Sequence, residues 1–253
     1  MDAILSNPWF QNVTSDFLTL LIILLGGSLV YHCTERSKLL KFFGLTQRKQ
    51  IVLYLSTVRV LPGGSAGVDG QPRSFSDSAL PYNEALLIPL FQRLFNFVIP
   101  GVSSQPGFLK WLLVSDVRVD ALPSPLNPQD VENGRTFIAV GSPGYNGASL
   151  RIEQALHPIA TFNPGYIGFS VPGVPQITDG QCSFVQRVFD QPTGQTAFYV
   201  AGMSSLGTTG AALFLANQWK YLAKKYSGSK PFCVVLRIAP NDASVHEVLF
   251  EKG

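Results

Sequence analysis

The feature that most constrains the fold is a strand, a glycine-rich loop and a helix that follow one another between residues 197 and 226. The run AFYVA at residues 197–201 is typical of a buried parallel strand. After the loop at residues 202–210, apolar side chains recur at three- and four-residue steps as far as Tyr226, which predicts a helix. Strand-to-helix units of this kind predict an α/β fold with a largely parallel sheet.

The loop at residues 202–210 has the composition of a phosphate-binding turn. Its glycines permit close approach of the backbone to a ligand, and its hydroxyl groups lie beside the free N–H groups that begin a helix. We expect ligand contacts from Gly202, Ser204, Ser205, Gly207, Thr208 and Thr209. A glycine-rich turn also occurs for packing alone, and that alternative stays open.

The rest of the chain extends the same architecture. Further strands are predicted at residues 51–60, 111–119, 136–140, 167–171, 183–190 and 232–238. Helices are predicted at residues 83–97, with a kink or break at Pro89, and at residues 148–156. A turn at residues 192–194 predicts a hairpin. We therefore predict a Rossmann-like, largely parallel sheet with helices on both faces plus a β-hairpin, preceded by one N-terminal transmembrane helix.

The predicted transmembrane helix lies at residues 17–31, which carry no charge, in a chain that is 46% hydrophobic and 14% charged. A cleaved signal peptide is disfavoured, because Asp2 and Asp16 precede the apolar run and no Lys or Arg does. After the span, five basic residues face one acidic residue up to residue 50. The positive-inside rule then puts the N-terminus outside and the main domain in the cytoplasm. The basic residues also fit anionic lipid headgroups.

These patterns divide the chain into four segments. They are an N-terminal segment with the span at residues 1–36, a basic juxtamembrane linker at 37–50, a Rossmann-like nucleotide-binding domain at 51–240 and a polar tail at 241–253. The segment at residues 37–44 is predicted to form a short helix at the membrane face or to extend the span.

Several classes of function find no support in the sequence. The three cysteines and three histidines are scattered without metal-ligand or disulfide spacing, so we predict no metal site and no cofactor. The P-loop, zincin and α/β-hydrolase signatures are missing. Charges beyond residue 50 are nearly balanced, which argues against a nucleic-acid partner.

Three segments are expected to meet beyond the carboxyl ends of parallel strands, where open α/β sheets bind ligands. They are residues 56–59, residues 141–146 and the loop at 202–210. The additional candidate ligand-binding residues are Ser56, Arg59, Gly141, Gly144 and Asn146. The alternatives are that Arg59 points to solvent and that Asn146 caps the following helix.

The two glycine loops, Gly141-Ser-Pro-Gly144 and Gly202 with Gly207-Thr208, carry a family resemblance. They resemble the Rossmannoid superfamily of lysine-decarboxylase-like nucleotide-processing enzymes and the SLOG sensor domains of prokaryotic antiviral systems. The enzymes have a glycine triplet in the first loop and P-G-G-x-G-T-x-x-E in the second, whereas here Ala211 stands where the catalytic glutamate would be. The resemblance implies a domain that binds a nucleotide or nucleotide-derived second messenger without cleaving it.

A second resemblance supports an enzymatic alternative. The strand Val52-Leu-Tyr-Leu-Ser56 is similar to that of nucleoside deoxyribosyltransferases, which use a glutamate nucleophile, and Glu84 is the candidate here. Glu84 also fits an exposed helix start, where acidic residues are common.

The leading hypothesis is a membrane-anchored cytoplasmic sensor and effector. It would bind a nucleotide-like small molecule, contact membrane lipid and assemble into homo-oligomers that perturb the membrane in bacterial antiviral defence. The alternatives are a membrane-tethered enzyme acting on nucleotides or NAD-like N-glycosides, and a protein-binding scaffold.

Overall fold

The computed structural model describes residues 8–45, 50–59, 78–79, 81–95, 117–125, 127–190, 193–228 and 230–253. The chain divides into two compact units. One comprises Met1–Leu39 and Phe97–Ser115, and the other comprises Leu40–Asn96 and Asp116–Gly253.

The described part of the first unit belongs to one long helix, whose last three residues, 40–42, lie in the second unit. Helix α1 (Pro8–Phe42) includes the predicted span and continues without a break through residues 37–42, so no separate juxtamembrane helix forms there. Exposed large apolar side chains on α1 are Phe17, Leu18, Ile22 and Val30. Several side chains of the predicted span, at residues 20, 21, 23–25, 28, 29 and 31, lie outside the described residues. Among the residues that are described, we find no helix with the length and apolar character that a membrane crossing requires.

The second unit contains the sheet and the remaining helices. In chain order, the strands of the described residues are β1 (Gln50–Leu55), β2 (Val58–Arg59), β3 (Ser78–Ala79), β4 (Arg118–Pro123), β5 (Thr136–Val140), β6 (Thr161–Phe162), β7 (Phe169–Ser170), β8 (Cys182–Asp190), β9 (Gln195–Gly202), β10 (Phe232–Ala239) and β11 (Asp242–Lys252). The helices after α1 are α2 (Tyr82–Ala85), α3 (Leu87–Phe95), α4 (Gly147–Ala155) and α5 (Ser205–Lys225).

Seven of these strands form one sheet in the order β11-β10-β8-β9-β5-β1-β4. The four neighbours β9, β5, β1 and β4 are parallel, while β8, β10 and β11 add antiparallel pairs. The hairpin predicted between residues 183–190 and 197–201 is confirmed by the β8–β9 pairing. The expected α/β architecture with a largely parallel central sheet is thus confirmed.

Helices cover both faces of the parallel strands, which explains why these strands are continuous apolar runs. Tyr199 and Phe198 are neighbours on β9 and therefore point to opposite faces. Tyr199 packs in the core cluster that includes α4, whereas Phe198 contacts Phe42 at the end of α1. The ring of Trp219 on α5 lies 6.5 Å from the ring of Phe42, on the same face.

The strand order reverses between β1 and β5. From β1 the chain passes to β4 on one side, and from β4 it crosses to β5 on the other side of β1. Such a reversal opens a crevice outside the carboxyl ends of the two strands, which is the usual ligand site in open α/β sheets.

Two details differ from the sequence predictions. The helix predicted for residues 83–97 breaks at Leu86 and not at Pro89. Pro89 lies in the first turn of α3, where backbone N–H groups have no intrahelical acceptor, so its missing N–H costs no hydrogen bond. Most of the predicted polar tail at residues 241–253 forms the edge strand β11, because β10 supplies its hydrogen-bonding partner.

The fourth strand of the parallel block also differs from its prediction. The sequence predicts it at residues 111–119, whereas β4 forms at Arg118–Pro123, and most of the predicted range lies outside the described residues.

Candidate functional site

The loops that follow β1, β5 and β9 meet at one edge of the sheet, as the sequence predicts. The three strands are parallel neighbours, so their carboxyl ends lie side by side. Hydrogen bonds hold these loops in place: the N–H of Thr57 donates to the carbonyl of Tyr145 in the loop after β5 at 2.8 Å, and the N–H of Gly141 donates to the carbonyl of Val200 in β9 at 2.8 Å. Residues far apart in the chain therefore share a small region.

Glu84 lies at this edge, although it is distant in sequence from the strands. Glu84 is only 4% exposed, and its carboxylate accepts a hydrogen bond from the N–H of Ser56 at 2.7 Å. Burial raises the pKa of the Glu84 carboxyl, and the N–H of Ser56 offsets part of that rise. The expectation of an exposed glutamate at a helix start is therefore wrong, because α2 turns this side chain inward toward the end of β1.

Asn146 is a structural residue of the edge. Its side-chain oxygen accepts from the N–H groups of Ala148 and Ser149, which begin α4. Its amide donates both hydrogens, to the carbonyls of Tyr54 at 3.0 Å and Val140 at 2.7 Å. Because an asparagine amide has two donors, Asn146 has none left for a ligand. The helix-cap alternative accounts for this residue.

The glycines of the first loop are required by the fold. Gly141 has φ +107°, and an added Cβ would overlap Ser56 Oγ and lie 3.5 Å from Glu84 Oε1. Gly144 lies under the ring of Tyr166, which an added Cβ would approach to 2.9 Å. A side chain at either position would fill space that another residue already occupies.

The loop predicted at residues 202–210 is largely helical, since α5 begins at Ser205. Ser204 caps that helix by accepting from the N–H of Gly207 at 3.1 Å. Thr208 is buried, and its hydroxyl accepts from the N–H of Gly202 at 3.1 Å. An added Cβ at Gly202 would lie 2.6 Å from the backbone of Gly207 and Thr208. These contacts close the turn between β9 and α5, so they serve packing.

What remains open to a ligand is the first turn of α5. The N–H groups of Ser205 and Leu206 have no intrahelical acceptor by their position, and an anion is favoured there. Ser205 Oγ accepts from the side chain of Asn83 at 3.2 Å, which brings α2 beside this turn. Thr209 is turned back, with its hydroxyl donating to the carbonyl of Ser205 at 3.0 Å.

Two further candidate residues have different outcomes. Ser56 is buried, and its hydroxyl donates to the carbonyl of Val140 at 3.0 Å, so it joins β1 to β5. Arg59 belongs to β2, but its side chain lies outside the described residues. Ala211 is fully buried in α5, so the position that the family resemblance assigns to a catalytic glutamate lies inside the fold.

Sequence reasoning missed three residues of this edge. Ser124 follows β4, and its hydroxyl donates to the side chain of Asn146 at 2.7 Å. Tyr145, which follows Gly144 in the chain, and Tyr166, whose ring lies against Gly144, are both exposed. The turn Asn163-Pro-Gly-Tyr166 is a signal that was present in the sequence, whereas the contact of Tyr166 with Gly144 depends on tertiary structure.

A second carboxyl, half-buried, lies on the α4 face of the sheet. Glu153 accepts from the hydroxyl of Tyr199 at 2.9 Å and from the N–H of Phe162 at 3.0 Å. Burial raises the pKa of both Glu153 and Tyr199. Within the described residues, no group of three or more His, Cys, Asp or Glu side chains is arranged to hold a metal ion.

No family model, no curated protein and no solved structure matches this chain. The resemblance to nucleotide-sensing Rossmannoid domains therefore depends on the loop residues alone.

Proposed function

We propose that this chain binds a nucleotide-derived ligand at the carboxyl ends of β1, β5 and β9. The observation that carries the proposal is the position of the loops after β1 and β5, which flank the reversal of strand order. A buried carboxylate, Glu84, lies in the same place and contacts the first residue after β1. A buried carboxyl in such a crevice is a typical feature of a functional site.

The first turn of α5 is the part of this edge that suits a phosphate group. It offers the free N–H groups of Ser205 and Leu206 and the positive end of a 21-residue helix. Glu84 is unsuited to a phosphate because two negative charges would repel each other. We therefore assign the anionic part of the ligand to α5 and its neutral part to the Glu84 side of the crevice.

The test is a binding measurement on the full chain and on the variants Ser205→Asp and Ser205→Asn. Aspartate at a helix start stabilises the helix while repelling an anion, so lost binding cannot be attributed to unfolding. We expect nucleoside monophosphates to raise the melting temperature of the wild type and of Ser205→Asn, but not that of Ser205→Asp. Equal shifts in all three proteins would contradict the phosphate position.

We further propose that the chain is a membrane-tethered sensor. Exposed apolar side chains on α1, among them Phe17, Ile22 and Val30, support a role for this helix in a lipid or protein environment. The basic residues that follow support a cytoplasmic main domain, with the N-terminus outside. Carbonate extraction of membranes containing the full chain tests the tether: Ile22→Asp should release the protein, whereas Ser37→Asp should not.

Ligand-driven assembly is the effector step of this proposal, since one helix cannot form a pore. Gly26 and Gly27 on α1 have open space around them, which would let a second helix approach closely. Light scattering of the detergent-solubilised chain should record a larger mass when a nucleotide that raises the melting temperature is added. An unchanged mass would leave ligand binding in place and remove the assembly step. Signalling in antiviral defence is the biological setting that the family resemblance implies.

The buried state of Glu84 favours a second candidate, an enzyme that acts on nucleotides or N-glycosides. A carboxyl whose pKa is raised by burial is suited to proton transfer or nucleophilic attack. Product analysis after incubation with nucleotides and NAD separates the two candidates. Turnover that disappears in Glu84→Gln while binding persists would establish the enzyme. Binding without turnover in both proteins would establish the sensor, and the absence of both would favour a protein-binding scaffold.

A further inference from the structure

Two exposed tyrosines lie near the reversal of strand order. One is on the loop that follows β5, and the other is on the loop that follows β6. The residues Tyr145, Tyr166 and Ile167 are 59%, 42% and 68% exposed. Single exposed apolar side chains are ordinary on protein surfaces, but these three belong to two loops that touch each other at Gly144. All three residues therefore lie close to Gly144, in the loops near the carboxyl end of β5.

The backbone of Tyr145 is fixed on both sides. Its N–H donates to the carbonyl of Ser142 at 3.0 Å, and its carbonyl accepts from the N–H of Thr57 at 2.8 Å. Thr57 directly follows Ser56, whose N–H is held by Glu84. The backbone of Tyr145 is thus joined through Thr57 to the residue whose N–H is held by the buried carboxylate.

Tyr166 is held in place at a conformational cost. Its φ is +58°, a left-handed value that is rare for residues other than glycine and asparagine. The ring lies against Gly144, where an added Cβ would approach it to 2.9 Å, and it forms a T-shaped pair with the ring of Phe162, with centroids 6.2 Å apart. The fold therefore places a partly exposed aromatic ring in contact with Gly144 and Phe162.

We propose that Tyr145 and Tyr166 form a stacking subsite for the nucleobase of the ligand. This inference rests on the proposed nucleotide binding and adds a base-recognising surface to it. Rigid, exposed tyrosine rings bind planar aromatic groups by stacking and lose little side-chain entropy on binding. The base thus occupies the neutral side of the crevice, next to the residues held by Glu84, and the phosphate lies at α5.

The test compares ligands that differ only in the base. The dissociation constants of adenosine, guanosine, cytidine and uridine monophosphates are measured by calorimetry on the full chain, together with that of ribose 5-phosphate. We expect at least one nucleotide to bind roughly tenfold or more tightly than ribose 5-phosphate, as stacking on an aromatic ring typically gives. This advantage should disappear in Tyr145→Ala and in Tyr166→Asn, while the Kd of ribose 5-phosphate stays the same.

The variants are chosen to preserve the fold. Tyr145 is exposed, and asparagine adopts left-handed φ values readily, so neither change should disturb the backbone. Tyr145→Phe should retain the advantage, because it keeps the ring. Tyr221→Ala, an exposed tyrosine near the other end of α5, is the matched control and should change nothing.

The outcomes separate the inference from the proposed function. If the nucleotides and ribose 5-phosphate bind equally, or if the advantage survives in both tyrosine variants, nucleotide binding stands and the stacking subsite is overturned. If none of the five ligands binds, the proposed function is overturned and the subsite with it.

Discussion

The guanidinium of Arg187 donates a hydrogen bond to the carbonyl oxygen of Phe42, the last residue of α1, at 3.2 Å. The same group donates to the carbonyl of Tyr226, which caps the end of α5, at 2.9 Å, and to that of Lys230 at 2.6 Å. Burial lowers the pKa of Arg187 to about 10, which leaves it charged at neutral pH. A cation is therefore placed at the carboxyl ends of two helices, where the helix dipoles favour it.

We expect Arg187→Met to lower the free energy of unfolding by about 3 kcal/mol, because several buried carbonyl groups lose a charged donor at once. Arg187→Lys should recover only part of this loss, since an ammonium lacks the planar fork that reaches separate acceptors. Urea denaturation measures both. The control is Arg118→Met, which breaks an exposed pair with Asp120 and should cost at most about 1 kcal/mol. Equal costs at the two positions would contradict the anchoring role of Arg187.

Thr208 and Thr209 are neighbours with different expected effects. Thr208→Val keeps the shape of the side chain but leaves the buried N–H of Gly202 without its acceptor, which should cost about 1–3 kcal/mol. Thr209→Val removes an exposed hydroxyl and should change stability by less than about 0.5 kcal/mol. Thermal unfolding monitored by circular dichroism compares the two. A ligand-binding defect in Thr208→Val without any loss of stability would show that its hydroxyl serves a ligand instead.

Gly141→Ala should destabilise the fold by roughly 2 kcal/mol or more, because the residue has a left-handed φ and the new Cβ would overlap Ser56 Oγ. Gly180→Ala is the matched control, since nothing lies within 4 Å of a Cβ at that position. Its stability should stay within about 0.5 kcal/mol of the wild type. The melting temperatures of the two variants are compared with that of the wild type. A Gly141→Ala protein as stable as the wild type would mean that the loop after β5 can move away from Ser56.

Glu84→Gln should alter the dependence of stability on pH. Because the pKa of Glu84 is raised in the folded protein, the folded state binds its proton more tightly than the unfolded chain does. Stability conferred by this group is complete below the unfolded pKa of about 4.5 and declines as pH rises through the folded pKa. Glutamine can still accept from the N–H of Ser56 but cannot ionise.

The variant should therefore gain stability relative to the wild type as pH rises from about 4 to 7.5. Urea titrations at several pH values in that range give the difference directly. A difference that does not change with pH would mean that Glu84 has the same pKa in both states. Gln129→Glu is the control, because it adds a carboxyl at an exposed position. It shows whether a change in a surface carboxyl alters the dependence of stability on pH in a similar way.

The buried strands of the sheet were predictable because their sequences leave few alternatives. Runs such as residues 136–140 and 232–238 carry apolar side chains on both faces, so they fit a strand covered by helices on both sides. The meeting of the three loops follows from the parallel arrangement of these strands. Those parts of the site were accessible from local pattern and chain order alone.

The start of α5 was not predictable from composition. Gly207 and Gly210 are typical of a loop, yet both belong to a helix, and at Gly210 this helix lies too close to the sheet for a larger residue. An added Cβ at Gly210 would lie 2.7 Å from Ile238, a contact that depends on tertiary packing. The same holds for Asn146, whose amide donates to the carbonyl of Tyr54, 92 residues away in the sequence. Residue types that suit a ligand suit a tight turn equally well.

The packing of Trp219 against Phe42 has a practical consequence for spectroscopy. The chain has three tryptophans, at positions 9, 111 and 219, and the ring of Trp219 lies at the junction of α5 with the end of α1. With Trp9 and Trp111 replaced by phenylalanine, the fluorescence of the remaining indole would come from this junction alone. Its emission wavelength and quenching by iodide would then record, in real time, whether an event at the first turn of α5 is felt at the opposite end of the helix.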